Sequence, residues 1–180
     1  MEVWKHVRAV LLLPGMVLVV IPATIIYLNG IDTFGLWRSN PFVRVLLASV
    51  GVGFVAGGLA LMVSTNRLFA TVGHGTLAPW NPPQRLVVRG IYRHVRNPMM
   101  LGVCSILFGE ALFTASLPLL CWFTFFVIVV MIVIPLVEEP GLVRRFGEDY
   151  VVYRQNVPRW IPRRTPWDQG SVVTSSRRQS

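Results

Sequence analysis

The chain has 180 residues, of which 53% are hydrophobic and only 14% are charged. This composition argues against an ordinary soluble domain and against a disordered chain, and it predicts an all-α integral membrane protein with a small water-facing part. The net charge of +9 does not indicate nucleic-acid binding, because the basic residues lie between and after apolar segments, as cytoplasmic loops do. Cys104 and Cys121 both lie in apolar runs, so neither a disulfide nor a metal site is expected.

Four apolar stretches have about the length of 20 residues that a bilayer-spanning helix needs. They predict membrane spans at residues 7–28, 42–64, 98–117 and 119–137. The second span carries a dense set of small residues, which favours close packing against another helix over a chemical role. These are Gly51, Gly53, Ala56, Gly57, Gly58 and Ala60.

Two polar-facing segments interrupt and follow these spans. Residues 65–96 hold five arginines and no acidic residue, and a loop of this length is usually functional or disordered. The pattern of residues 141–155 predicts an amphipathic helix that lies at the membrane interface. We therefore expect a single domain over residues 1–163, followed by a polar tail at 164–180.

The distribution of basic residues predicts the topology. With four spans, the basic N-terminus, the 65–96 loop and the basic C-terminal region fall on one side of the membrane. The positive-inside rule assigns that side to the cytoplasm, so both termini are expected there. Lys5 is the only lysine, and this excess of arginine favours a GC-rich bacterial genome and hence a bacterial cytoplasmic membrane.

Polar residues are expected to meet at the cytoplasmic ends of the last two spans. Glu138 and Glu139 end the fourth span, whereas Arg96, Asn97 and Pro98 begin the third. The connection between these spans is short, so the two ends should be neighbours. The spacing leaves two interpretations open: the charges simply pair at the membrane boundary, or they form a pocket for a small molecule with cationic and anionic groups.

Two separated motifs lie in the second half of the chain. The segment Arg89–Gly102 reads RGIYRHVRNPMMLG and is similar to the first signature of the isoprenylcysteine carboxyl methyltransferase and phospholipid methyltransferase superfamily. Glu138–Pro140 (EEP), Phe146–Tyr153 (FGEDYVVY) and Val157–Pro162 (VPRWIP) are similar to the second. The resemblance covers about residues 70–163, with both motifs in the expected order.

The resemblance implies methyl transfer from S-adenosylmethionine to a lipophilic small molecule or lipid at the cytoplasmic membrane face. In the superfamily, the cofactor lies between the first motif and the acidic pair. Carried over by position, the cofactor-binding residues are Gln84, Leu86, Val87, Tyr92, Asn97, Pro98, Met100, Glu138 and Glu139. Gly73 and Gly75 match a Gly-x-Gly element of the phospholipid branch, although such a pair is also typical of a simple turn.

Three residues are candidates for catalysis. A carboxylate acceptor needs no base, but an amine must first lose a proton, which Glu139 or His94 could accept. An exposed loop histidine is the alternative interpretation of His94, and the sequence alone favours it slightly over a catalytic role. Arg159 is a candidate for binding an anionic group of the acceptor or a lipid headgroup.

Two departures from the family pattern leave the acceptor open. Met100 stands where a tyrosine is common, and Asn97 stands where the isoprenylcysteine branch has histidine. The rival interpretations are an NADPH-dependent, sterol-reductase-like membrane enzyme, whose pattern lacks the acidic pair, and a non-catalytic membrane protein that retains the fold. Glu110, deep in the third span, is expected to form a hydrogen bond to a neighbouring helix.

Overall fold

A computed structural model describes residues 15–36, 40–72 and 86–168, and within these ranges the regular elements are all helical. The all-α prediction is therefore confirmed for the part of the chain that is described. In chain order the elements are a π turn (Met16–Val20), α1 (Ile21–Asn29), α2 (Pro41–Thr71), a 3-10 turn (Gly90–Arg93), α3 (Pro98–Thr114), α4 (Leu117–Val133), a second π turn (Ile134–Glu138), α5 (Glu139–Phe146) and α6 (Glu148–Asn156).

Two of the described helical stretches are long and apolar enough to cross a membrane. They are Pro41–Thr71 and the continuous stretch Leu117–Phe146. Met16–Asn29 and Pro98–Thr114 are apolar but shorter. The 17 residues of α3 span about 25 Å, slightly less than the roughly 30 Å of a hydrocarbon core. The count of four spans stays a prediction, and the first predicted span begins outside the described residues.

The second predicted span ends at residue 64, but α2 continues to Thr71. Residues 65–72 contain no glycine or proline, so the helix continues past the apolar run. The buried Thr65 donates its hydroxyl hydrogen to the carbonyl oxygen of Leu61, 2.8 Å away, which leaves its oxygen free to accept a hydrogen bond from Tyr92. This extension carries α2 up to the first motif.

Helices α2 and α3 touch through paired glycines. A Cβ added to Gly58 would lie 2.5 Å from the carbonyl oxygen of Gly102. One added to Gly51 would lie 2.7 Å from the carbonyl oxygen of Gly109, so the two helices run antiparallel. Gly51, Gly58 and Thr65 are the buried residues of α2 and lie seven apart. The packing role predicted for the small residues is confirmed at Gly51 and Gly58.

Gly58→Val should lower the free energy of unfolding by about 2 kcal/mol, because the new side chain would collide with the backbone of α3. Gly57→Val is the matched control, since a Cβ at Gly57 meets nothing within 4 Å. Thermal unfolding of both variants in detergent checks the prediction. Equal stability of the two variants would show that the α2–α3 contact is looser than the structure has it.

A tight hairpin joins α3 to α4. Ala115 adopts a left-handed conformation with a φ of 47°, which ends α3, and the Ser116 side chain caps α4 by accepting from the Leu119 amide. The loop after α1 holds this hairpin, since the Asp32 amide donates to the carbonyl oxygen of Thr114 at 2.8 Å. The hairpin brings the start of α3 and the end of α4 to the same end of the molecule.

Candidate active site

The chain widens into a π turn at the end of α4, and this turn includes Glu138, the first residue of the acidic pair. Pro135 has no amide hydrogen and cannot continue the α-helical pattern. The chain forms a π turn over Ile134–Glu138, in which the amide of Glu139 donates to the carbonyl oxygen of Ile134, five residues back. After this turn Glu139 is buried, whereas Glu138 is exposed. The two adjacent carboxylates therefore have different surroundings.

Glu139 lies between two arginines, one from each motif. Its Oε1 accepts a hydrogen bond from Nη1 of Arg96 at 2.7 Å and another from Nε of Arg159 at 2.7 Å. Its Oε2 accepts from Nη2 of Arg159 at 2.9 Å, so Arg159 binds the carboxylate with two parallel bonds. Glu139 is only 4% exposed. The expected proximity of the two motifs is confirmed, and these three residues are called the Arg–Glu–Arg triad below.

The residues that follow α6 lie over the first motif, and we call residues 157–168 the C-terminal cover. Its backbone bonds to the motif at three places. The amide of Arg96 donates to the carbonyl oxygen of Pro158 at 2.9 Å. The amides of Arg163 and Trp167 donate to the carbonyl oxygens of His94 (3.0 Å) and Arg93 (2.9 Å). The cover is thus attached to residues 93–96 in the middle of the motif.

An apolar cluster joins the cover to α6. Its buried members are Tyr150, Tyr153, Val157 and Trp167, with Leu86 and Val88 packed against them. The hydroxyl of Tyr153 donates to the carbonyl oxygen of Tyr92 at 2.7 Å. Trp167 lies within the segment predicted as a polar tail, yet it is part of this cluster. The residues beyond Asp168 lie outside the described part of the chain.

His94 uses one ring nitrogen to hold the cover. Its Nδ1 lies 2.8 Å from the carbonyl oxygen of Arg163. A carbonyl can only accept, so Nδ1 carries the hydrogen, which leaves Nε2 as the nitrogen that could take up a proton. The histidine is half-buried rather than freely exposed. Its catalytic role stays a prediction, as do those of Glu139 and Arg159.

The predicted cofactor-binding residues differ in burial. Val87, Tyr92 and Pro98 are buried, Leu86, Asn97 and Met100 are half-buried, and Glu138 is exposed. Gln84, Gly73 and Gly75 lie outside the described residues. Phe69, which the sequence analysis did not single out, stacks on Tyr92 with ring centroids 5.4 Å apart. Thr65 and Phe69 lie four residues apart near the end of α2, and this helical spacing is the signal that could have identified them.

Three tyrosines around the motifs are held in the protonated form. Burial raises the pKa of Tyr92 and of Tyr153 well above the ordinary value. Burial, and then the charge of Glu139, raise the pKa of Tyr150 as well. A hydrogen bond with the Thr65 side chain opposes the shift of the Tyr92 pKa without cancelling it. The phenol groups therefore act as hydrogen-bond donors at neutral pH.

Stability should fall as the pH rises above about 10, the ordinary tyrosine pKa. The pKa values are higher in the folded state, so the unfolded state loses its protons first and is favoured by alkali. Each such tyrosine contributes a slope of up to about 1.4 kcal/mol per pH unit. Denaturant midpoints measured between pH 8 and 11 check this, and Tyr153→Phe should flatten the fall. An unchanged slope in that variant would contradict the assignment.

Glu110 lies on α3, away from the two motifs. Its Oε2 is buried and has no hydrogen-bond partner among the described residues. The predicted hydrogen bond to a neighbouring helix is therefore not made by this oxygen. The backbone carbonyl of Glu110 accepts from the hydroxyl of Thr114 at 2.7 Å within the same helix.

Comparison with known proteins identifies a family for this chain. The phospholipid methyltransferase family model matches residues 46–149, which is more than half of the chain. This range runs from α2 into α6 and includes the first motif and the acidic pair, but it ends before Arg159. No curated protein and no solved structure gives a significant match.

Proposed function

Because the chain belongs to the phospholipid methyltransferase family, we propose that it transfers a methyl group from S-adenosylmethionine to a lipophilic or lipid-anchored acceptor. The observation that carries the proposal is that α3 and α4 bring both motifs to one end of the molecule, where the arginine of the first motif contacts Glu139 at 2.7 Å. The rivals, a sterol-reductase-like enzyme and a non-catalytic protein, have no comparable support.

The proposed location is a bacterial cytoplasmic membrane, with four spans and both termini on the cytoplasmic side. Two apolar helical stretches of full spanning length support the membrane assignment. Their outward side chains are apolar, as at Phe42, Leu59, Phe125 and Ile128, all of which are exposed. Surfaces of this kind fit contact with lipid tails better than contact with water.

The residues present fit S-adenosylmethionine, which carries a carboxylate, an ammonium group and a sulfonium centre. Glu138 offers an exposed carboxylate for a cationic group. The Asn97 side chain makes no capping hydrogen bond to α3, so it does not occupy the first-turn amides, which could bind a carboxylate.

The bound cofactor would supply an activated methyl group, whose bond to sulfur breaks as the acceptor's lone pair forms the new bond. The protein's part in such a displacement is to align the two molecules and to exclude water. The C-terminal cover is suited to exclude water, because it closes over the first motif with buried Val157 and Trp167. With an amine acceptor, Nε2 of His94 is a candidate to take up the released proton.

Ligand titration of the purified protein in lipid nanodiscs tests the proposal. We expect S-adenosylhomocysteine to bind in calorimetry and NADPH not to bind. Incubation with radiolabelled S-adenosylmethionine and a membrane lipid extract should then label a lipophilic product. Binding of NADPH alone would favour the sterol-reductase-like alternative, and binding of neither ligand would favour the non-catalytic one.

A further inference from the structure

The geometry points to different roles for the two adjacent glutamates. Glu139 is a positioning residue that fastens the C-terminal cover to the first motif. Glu138 alone of the pair remains accessible to contact the cofactor. This deepens the proposed function and rests on it as far as the cofactor is concerned. The fastening itself depends only on the contacts of the Arg–Glu–Arg triad.

The hydrogen bonds of Glu139 leave it little capacity for a ligand. Three charge-assisted bonds, at 2.7, 2.7 and 2.9 Å, occupy both oxygens. Taking up a proton would remove the negative charge that holds both arginines, and these have no acidic side chain other than Glu139 within salt-bridge distance among the described residues. Because both of its oxygens accept hydrogen bonds from arginines, this carboxylate is poorly placed to contact a substrate proton. It is well suited to join two segments of chain.

The segments that the triad joins are the ones that would enclose a cofactor. Arg96 directly precedes Asn97, the residue before α3, and its amide bonds to Pro158 of the cover. Arg159 is the next residue of the cover. The side-chain bridge and the backbone bond thus lie side by side, and each stabilises the other.

The π turn explains why only one of the two glutamates can do this. Exposed Glu138 is the last residue of the turn, and buried Glu139 is the first of α5. The extra residue in the turn changes the direction in which the following side chains leave the helix axis. Glu139 therefore reaches the arginines while Glu138 stays accessible.

Hydrogen exchange on the full-length protein in nanodiscs tests the fastening without any ligand. Glu139→Gln should speed exchange at the amides of Arg96, Arg163 and Trp167 by about tenfold or more, since losing one member of a buried ion pair is strongly destabilising. Glu138→Gln, an identical change at the neighbouring residue, should leave these amides unchanged. Equal exchange in both variants would overturn the proposal.

Arg159→Met provides a second route should Glu139→Gln fail to fold. It leaves Glu139 paired with Arg96, so it is the milder change, and it should speed exchange at the same three amides. Slow exchange at these amides in Arg159→Met would also count against the fastening.

A double-mutant cycle on the affinity for S-adenosylhomocysteine separates positioning from direct contact. If Glu139 acts through Arg159, Glu139→Gln and Arg159→Met together should weaken binding no more than the stronger single change does. When Glu138→Gln and Arg159→Met are combined, the fold-losses in affinity of the two single variants should instead multiply. Multiplying effects of Glu139→Gln and Arg159→Met would overturn the positioning role. If the wild type does not bind the ligand, the proposed function fails, and the exchange experiment still decides whether the triad fastens the cover.

Discussion

Glu138→Gln should weaken binding of S-adenosylmethionine and S-adenosylhomocysteine by about 10- to 100-fold, because a hydrogen bond to a charged group contributes about 1.5 to 3 kcal/mol. Both ligands carry an ammonium group, and Glu138 is the exposed carboxylate of the acidic pair. The substitution keeps the shape of the side chain and removes only its charge. Calorimetric titration of both ligands gives the ratio of affinities.

Glu148→Gln is the matched control for this experiment. Glu148 is also exposed and lies in the first turn of α6, so its substitution removes the same charge on the same side of the molecule. We expect it to leave both affinities within about twofold, since exposed charges that make no direct contact contribute little. If Glu138→Gln behaves like Glu148→Gln, the cofactor is not held by the acidic pair.

The proximity of the two motifs could be predicted from the sequence, but the separate surroundings of the two glutamates could not. The proximity follows from the short α3–α4 connection and the lengths of the helices, both of which apolar runs define. The surroundings of Glu138 and Glu139 depend on the π turn after Pro135, and a proline in an apolar run predicts a kink without specifying which residue turns inward.

The α2–α3 contact could be predicted from the sequence only in part. The sequence indicated a stripe of small residues but not which of them touch another helix. The seven-residue spacing of Gly51, Gly58 and Thr65 was present in the sequence, and the same spacing relates Gly102 to Gly109. Identifying the pairing requires knowing that α2 and α3 are antiparallel neighbours, which depends on tertiary packing rather than on local pattern.

Arg96→Met should lower the free energy of unfolding by about 3 kcal/mol, because it leaves buried Glu139 with a single partner. Arg159 makes two of the three hydrogen bonds to Glu139, yet we expect Arg159→Met to lower the free energy of unfolding less than Arg96→Met does. The Arg159 side chain is 26% exposed against 10% for Arg96, so water can replace Arg159 more easily. Denaturant unfolding in mixed micelles measures both, with Arg144→Met, an exposed arginine of α5, as the control.

The double variant Arg96→Met/Glu139→Met shows whether the unpaired carboxylate causes the loss. Replacing a buried ion pair by apolar side chains of similar volume is often neutral or stabilising, whereas removing one partner leaves an uncompensated charge. We therefore expect the double variant to be more stable than Arg96→Met alone. Its cover should still show the faster amide exchange expected of Glu139→Gln, since Arg159 would again lack its partner. A double variant no more stable than Arg96→Met would mean that Arg96 stabilises the fold through its contact with Tyr150 instead.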